Sequence, residues 1–277
     1  MLTEIAVADA YGAGFEFSSR DKINQHNDFS HYLSHELYGI SAKYTDDTQM
    51  SVAIAELIVE APHWTKALIA DKFVACFKRD PRLGYAKGFH SFLTGIHSGQ
   101  EFLEKIINTS NRNGAAMRSV PLSVIKDTGE LISKASMQAS ITHNTDIAIQ
   151  SACAVALAGH FGIHQHGKVS DLKCFLENYG VSDWDFNWCT EVSVKAYDTV
   201  SAAFSCLISN DNLSDLIIQC VSLGGDTDSV ASIAAGLATC FEEYDQSLPV
   251  NMINALDESS YGVHYLQALD NKLYSVY

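Results

Sequence analysis

Two short acidic motifs carry the chemistry that this chain could perform. Gly224-Gly225-Asp226-Thr227-Asp228-Ser229 presents two carboxylates one residue apart and then a hydroxyl, at the head of a small-residue apolar run from Val230 to Leu237. Far upstream, Thr45-Asp46-Asp47-Thr48 repeats the theme of hydroxyls and acids just before an apolar-striped segment. Carboxylates and hydroxyls are hard oxygen donors of the kind that hold Mg²⁺ or Mn²⁺. Either motif alone reads equally well as a helix start with acidic decoration, because N-caps favour such residues and the helix dipole favours negative charge. Two copies make a different case. Four carboxylates brought together repel unless cations neutralise them, so the pair reads as two halves of a dinuclear metal site.

The elements that must position these groups are helical. Met50, Ile54, Leu57 and Ile58 fall at helical spacing and predict a helix from Thr48 to about Glu60, and a second is expected from Thr65 to Lys78, closed by Asp80-Pro81. The first residues form a small-residue helical stretch that contains Asp9 and breaks at Gly12 and Gly14. Glu16 follows between Phe15 and Phe17, as either a solvated loop acid or the acid of a catalytic lid. Residues 18–44 are polar and aperiodic and read as a long connection; His31 and His35 are four apart but lack a third zinc ligand, which favours a surface loop. Gly84-Tyr85-Ala86-Lys87-Gly88 is a glycine-spaced loop that could cradle a diphosphate with backbone N–H groups, although its spacing is not that of a P-loop and no strand precedes it. Asn113-Gly114-Ala115-Ala116-Met117-Arg118 is a turn feeding a short apolar element, and Thr142-His143 opens an almost wholly apolar helix from Ile147 to Ala158. His160, His164 and His166, around Gly159 and Gly162, are expected in a helix-ending loop rather than around zinc. Trp184 and Trp188 anchor a connection, and further helices are expected over 192–208, over 213–220 and from the glycine pair to about Glu242.

Composition bounds the function. With 277 residues, 47% of them hydrophobic, and four prolines, the chain can bury one large core, and no repeat or low-complexity linker divides it. A formal net charge of −15 argues against an extended nucleic-acid surface, which needs clustered Lys and Arg, but leaves room for a small anionic ligand. Seven scattered cysteines without a C-x-x-C pair read as reduced thiols of a cytoplasmic protein. Met1-Leu2-Thr3-Glu4 lacks the basic and apolar regions of a signal peptide, and no apolar run is expected to span a bilayer. The fold class expected is all-α, with residues 1–277 forming a single multi-helix domain.

In this order along the chain, the motifs resemble the ADP-ribosylglycohydrolase family, which includes dinitrogenase reductase-activating glycohydrolase and the ADP-ribosylarginine and ADP-ribosylserine hydrolases. The resemblance begins with Asp9-Ala10-x-Gly12 and Glu16-Phe17. It continues through Thr45-Asp46-Asp47-Thr48, Gly84-Tyr85-x-x-Gly88, Asn113 to Arg118 and Thr142-His143, and ends in Leu223 to Ser229. It implies a compact all-α domain with two Mg²⁺ ions, Mn²⁺ being the substitute, in a central cleft. The metal ligands it implies are Thr45, Asp46, Asp47, Asp226, Asp228 and Ser229, with Glu16 as the lid acid near the ribose. Gly84, Tyr85 and Gly88, with Asn113 and Gly114, would hold the diphosphate and distal ribose, and His143 would lie near the phosphates. The chain departs from the family pattern at Ala8, where Gly is usual, at Ser229, where Thr is frequent, and at Asn144 to Ile147, which replace an acid-proline step.

The resemblance implies metal-dependent cleavage of the glycosidic bond between ADP-ribose and a modified protein side chain, arginine first, releasing ADP-ribose. Such cleavage passes through an oxocarbenium-like state. Attack by water with inversion, with Asp47 or Glu16 as base, fits the residues, and Asp46 and Asp228 belong to the same catalytic cluster. Two other readings stand beside it. One is hydrolysis of another ADP-ribosyl linkage, as an antitoxin against an ADP-ribosylating toxin; the other is a non-catalytic ADP-ribose-binding or blocking protein.

Overall fold

Helical spacing in the sequence becomes helix almost everywhere. The computed structural model describes residues 1–181, 183–257 and 259–276. In chain order its α-helices are α1 (Leu2–Ala13), α2 (Arg20–His26), α3 (Asp46–Glu60), α4 (Lys66–Arg79), α5 (Lys87–Gly95), α6 (Gly99–Lys105) and α7 (Thr128–Thr142). They continue as α8 (Asp146–Gln165), α9 (Leu172–Glu177), α10 (Ala196–Ser209), α11 (Leu213–Leu223), α12 (Thr227–Ala238), α13 (Val250–Ala255) and α14 (Val263–Val276). Short 3₁₀ turns occupy Asn113–Ala115, Val120–Val124 and Val169–Asp171. No strand longer than an isolated bridge occurs among the described residues, so the expected all-α class holds. One continuous core draws on helices from α1 to α14, with a small satellite of alanines, Ala115, Ala139 and Ala152.

At the centre lie helices without a polar face. α1 and α12 are buried on nearly every side, which suits their runs of Ala, Gly and Ser. They pack antiparallel, and a glycine at each end permits the contact. A Cβ on Gly12 would stand 2.5 Å from the Asp228 Cα, and one on Gly236 would stand 2.7 Å from Ile5 Cγ1. The Thr227 hydroxyl donates to the Gly12 carbonyl at 2.8 Å and locks the register. Gly12 is therefore a packing position, and α1 runs on through it to Ala13 instead of breaking there.

Several boundaries differ from those the sequence suggests. α8 continues seven residues past Ala158 to Gln165, so His160 and His164 sit on a helix and not in a loop. Each ring hydrogen-bonds a carbonyl at the end of the 3₁₀ turn Val120–Val124, His164 that of Val124 and His160 that of Ile125 just after it, which accounts for both without a metal. By length and composition α8 is apolar enough to cross a bilayer, contrary to the expectation of no such run; 72% of that window is buried inside the fold, as befits a core helix. α12 stops at Ala238 rather than near Glu242, and α7 and α14 form where no helix is expected. Gly88 lies in the first turn of α5 instead of in a loop.

The glycine contacts set a test. Gly12→Ala is expected to destabilise the fold by about 1–3 kcal/mol through overpacking, seen as a fall of several degrees in the calorimetric melting temperature. Gly95→Ala, where a new methyl meets nothing within 4 Å, should leave that temperature unchanged or raise it slightly.

Candidate active site

Asp9, buried within α1, holds the start of α3. Its carboxylate accepts from the backbone N–H groups of Thr45 at 2.9 Å and Thr48 at 3.0 Å, and from both threonine hydroxyls, at 2.8 and 2.5 Å. Thr45 occupies the N-cap but makes no cap of its own, so a residue of another helix satisfies these orphan donors. This fixes Asp46 and Asp47 in the first turn. Across from them, the N-terminus of α12 supplies Asp226, Asp228 and Ser229, which α1 positions through the Gly12 contact. Two helix starts, each with a dipole favouring negative charge, thus face one another.

Glu16 completes the cluster. Phe17 is left-handed at φ 47°, and its N–H donates to the Gly225 carbonyl at 2.8 Å, which ties Glu16 to the acidic loop of α12. One carboxylate oxygen from each of Glu16, Asp226 and Asp228 lies within 4.8 Å of the others. At an effective dielectric of about 20, each such pair of charges repels by roughly 3 kcal/mol. The Ser229 hydroxyl reaches both Asp47 and Asp226, Asn113 Nδ2 donates to Asp226 at 2.7 Å, and Ser232 Oγ donates to Asp47 at 3.2 Å. Among the described residues no Lys or Arg pairs with any of these carboxylates. Burial pushes Asp9 and Asp226 up to about 6 and drives Asp46, Asp47 and Asp228 well above the carboxylate range, with the neighbouring acids adding to the last three. A dense set of hard oxygens with no protein cation is the donor set a divalent cation fits.

The acids close one end of a cavity of about 630 Å³. Gly84, at φ 104°, lines it with no side chain because a Cβ would stand 2.3 Å from Asp46 Oδ1. Gly88, Asn113, Gly114 and His143 also line it, so the structure brings together most of the predicted site residues. Tyr85 and Thr45 are the exceptions. The Tyr85 ring is buried against Phe77, its hydroxyl donates to Gln49 Oε1 at 2.8 Å, and it borders a separate, smaller hollow. Thr45 sits behind the cluster, its hydroxyl turned to Asp9, although the oxygen keeps lone pairs for a ligand.

The same cavity also has basic and apolar lining. Arg118 is 1% exposed with no carboxylate partner; its guanidinium donates to the Gln138 side chain and carbonyl and, through Nη2, to the Thr142 hydroxyl at 2.8 Å. That hydroxyl also lies within hydrogen-bond distance of His143 Nδ1, at 2.7 Å. Burial first, then Arg118 and Arg112, pull the His143 pKa down to about 3, so the ring is a neutral donor at physiological pH. Phe89, Phe92, Ile106 and Ile107 continue the wall beyond it.

No sheet joins these parts. Single extended contacts do: Val192 N–H donates to Gly224 and accepts, through its carbonyl, from Asp226 N–H, while the Asn113 N–H donates to Val194. Asn144 N–H donates to Asn108 at 2.5 Å and seats the start of α8 beside the same cleft. Two motif residues have roles that the motifs do not show, Asp9 as the external cap and Arg118 as the cation behind His143, and His35 lies outside every motif. The first two carry one signal, a charged residue in an apolar stretch. His35 carries none; expected on a surface loop, it is buried against Glu16.

Comparison with known proteins shows the family. A family model described as ADP-ribosylglycohydrolase matches residues 5–277. The chain is 24% identical to the ADP-ribosylhydrolase ARH3 of Xenopus tropicalis, over 75% of each protein. It is also 24% identical to the ADP-ribosylarginine hydrolase Tri1 of Serratia proteamaculans, covering 88% of this chain and 70% of that protein. A solved structure titled ADP-ribosylglycohydrolase-related protein complex superposes with a TM-score of 0.79 at 19% identity, over 99% of this chain and 95% of the other, which shows the shared fold. The chain belongs to the ADP-ribosylglycohydrolase family.

The carboxylate cluster predicts an unusual pH response. An acid whose folded pKa lies above its unfolded value binds protons more readily when folded, so stability falls as pH rises through that window, here from about 4 to about 6 and beyond. His143, with its lowered pKa, acts in the opposite sense but is a single group against five carboxylates. Without divalent cations, the melting temperature is expected to be higher near pH ~5.5 than near pH ~7.5. Asp228→Asn should raise it at the higher pH by roughly 2–6 °C. A lower value for the variant would mean that the cluster is not under repulsion.

Proposed function

We propose that this member of the ADP-ribosylglycohydrolase family hydrolyses the bond between ADP-ribose and a modified protein side chain, arginine first, with two Mg²⁺ ions at the acidic end of the cleft. One observation carries this reading. A single cavity is lined by five carboxylates and by a neutral histidine backed, through Thr142, by a buried arginine. A ligand that matches it carries an anion between a polyol able to share cations with the acids and a flat apolar group. ADP-ribose has that order: ribose, diphosphate, adenosine. The name of the Serratia relative supports arginine as the acceptor.

Asp46, Asp47, Asp226 and Asp228, with the hydroxyls of Thr45 and Ser229, would hold the ions; Mn²⁺ fits the same donors. Bound there, the ions supply Lewis acidity and neutralise the cluster. The chain's own residues do the rest. Among the described residues the N–H groups of Lys87 and Gly88, at the start of α5, have no backbone partner and offer donors to a diphosphate, as His143 would through Nε2. Arg118 and Arg112 add positive potential beside His143. Glu16, with 18% of its side chain exposed, is less enclosed than Asp47, Asp226 and Asp228, so it can exchange protons with water. In the reaction water's oxygen forms a bond to the anomeric carbon as the bond to the acceptor nitrogen breaks. Glu16 takes a proton from the water, the guanidinium nitrogen keeps the electron pair of the broken bond, and the acceptor leaves as a neutral guanidine that the protonated Glu16 can then reprotonate. Asp47, 2% exposed and held by Ser229 and Ser232, is better placed as a ligand than as the base.

The test uses protein mono-ADP-ribosylated separately on arginine and on serine, and follows released ADP-ribose. With Mg²⁺, release from arginine is expected, and EDTA should abolish it. Asp46→Ala and Asp228→Ala should each lower kcat by at least about 10²–10³-fold, the size of a lost electrostatic contact in a site. Release from serine alone would reassign the acceptor. No release from either, with free ADP-ribose bound, would favour a binding protein.

A further inference from the structure

Glu16 is not free to choose its orientation, and the group that sets it lies outside the cleft. His35 Nε2 stands 2.6 Å from Glu16 Oε2, with the two side chains 5% and 18% exposed. On the other side of the ring, Nδ1 faces two backbone donors, the N–H groups of Leu37 at 3.0 Å and Tyr38 at 3.4 Å. Because those N–H groups can only donate, Nδ1 is the acceptor and the ring proton resides on Nε2, aimed at Glu16. The imidazole is fixed in place as well as in tautomer. His35 N–H donates to the Ile40 carbonyl at 2.8 Å, Gly39 N–H donates to the His35 carbonyl at 2.9 Å, and the Tyr38 ring packs on the imidazole at 4.6 Å.

We propose that His35 is the positioning residue for Glu16: a neutral imidazole, its tautomer set by the turn over residues 35–40, that donates to one carboxylate oxygen and keeps the other directed at the reacting centre. This rests on Glu16 being the base of the hydrolase described above. Among the described residues no other side chain hydrogen-bonds Glu16, so its orientation beside Asp226 and Asp228 depends on this one donor. The segment itself has other anchors. Phe17 N–H is held by Gly225, Arg20 donates to the carbonyls of Ser222 and Leu223, and Lys22 bridges Ser18 and Glu36 at 3.1 Å each. Loss of His35 is therefore expected to release the carboxylate without releasing the chain. This arrangement parallels the outer partners that orient ligands in metal sites.

The two polar sides of the ring can be removed separately. His35→Asn keeps an oxygen where Nδ1 accepts from Leu37 but has nothing that reaches Glu16. His35→Gln places an amide N–H near the position of Nε2. In the arginine-linked assay, His35→Asn and His35→Ala are expected to lower kcat about 10–100-fold with KM little changed, and His35→Gln to recover most of the loss. In a Glu16→Gln background, His35→Asn should cost nothing further, because the group it orients has already been disabled. Wild-type kcat in His35→Asn, or equal damage in His35→Gln and His35→Ala with KM and kcat falling together, would overturn the proposal. If the wild-type chain releases no ADP-ribose, the hydrolase reading fails, and crystal structures of the two variants decide the positioning. Glu16 leaving Asp226 and Asp228 in His35→Asn but not in His35→Gln supports it; Glu16 unmoved in His35→Asn overturns it.

Discussion

The arrangement depends on one unfavourable act, the gathering of five carboxylates inside a protein of net charge −15. Burial and mutual repulsion oppose it, and among the described residues no Lys or Arg pairs with the acids to offset them. What sustains it is the surrounding helical core. The starts of α3 and α12 face each other, and both are fixed against α1, the first by Asp9 and the second by the Gly12 contact. A shift of α1 would disturb both acidic motifs at once, which explains why a helix that donates no ligand to the cluster has such tight contacts at its C-terminal end.

Around that core the cleft is assembled from pieces distant in sequence, and single extended contacts do the joining. The segment Val192–Lys195 touches the loop before α12 on one side and the Asn113 turn on the other, while residues 108–112 seat His143. Each contact involves only one or two hydrogen bonds, so the geometry relies on the rigidity of the helices they connect. The cavity thus combines acids with a neutral histidine backed by Arg118.

The same constraint relates stability to activity. Carboxylates that repel one another lower the stability of the cation-free protein, and a cation that relieves the repulsion binds more tightly for it. Outer contacts are then needed to hold each acid in a useful direction, and they come from different places: Ser232 and Ser229 for Asp47, Asn113 for Asp226, His35 for Glu16.

The sequence by itself determined the all-α class, the two acidic helix starts, the glycine and histidine motifs of the cleft, and through their order the resemblance to the family. Each is a local pattern: apolar spacing, adjacent acids, glycines at turns. Helix limits were less legible where an apolar run has no stop signal, as in α8, or where the pattern is diluted by polar residues, as in α7. Only the tertiary structure decided that Tyr85 turns into the core, that Asp9 caps a helix other than its own, and that Arg118 acts through Thr142 on His143. The same holds for His35, which leaves its loop to meet Glu16. These roles join residues remote along the chain by directional contacts between side chains. No periodicity records such contacts, because they come into being when α1, α3 and α12 close around the buried acids.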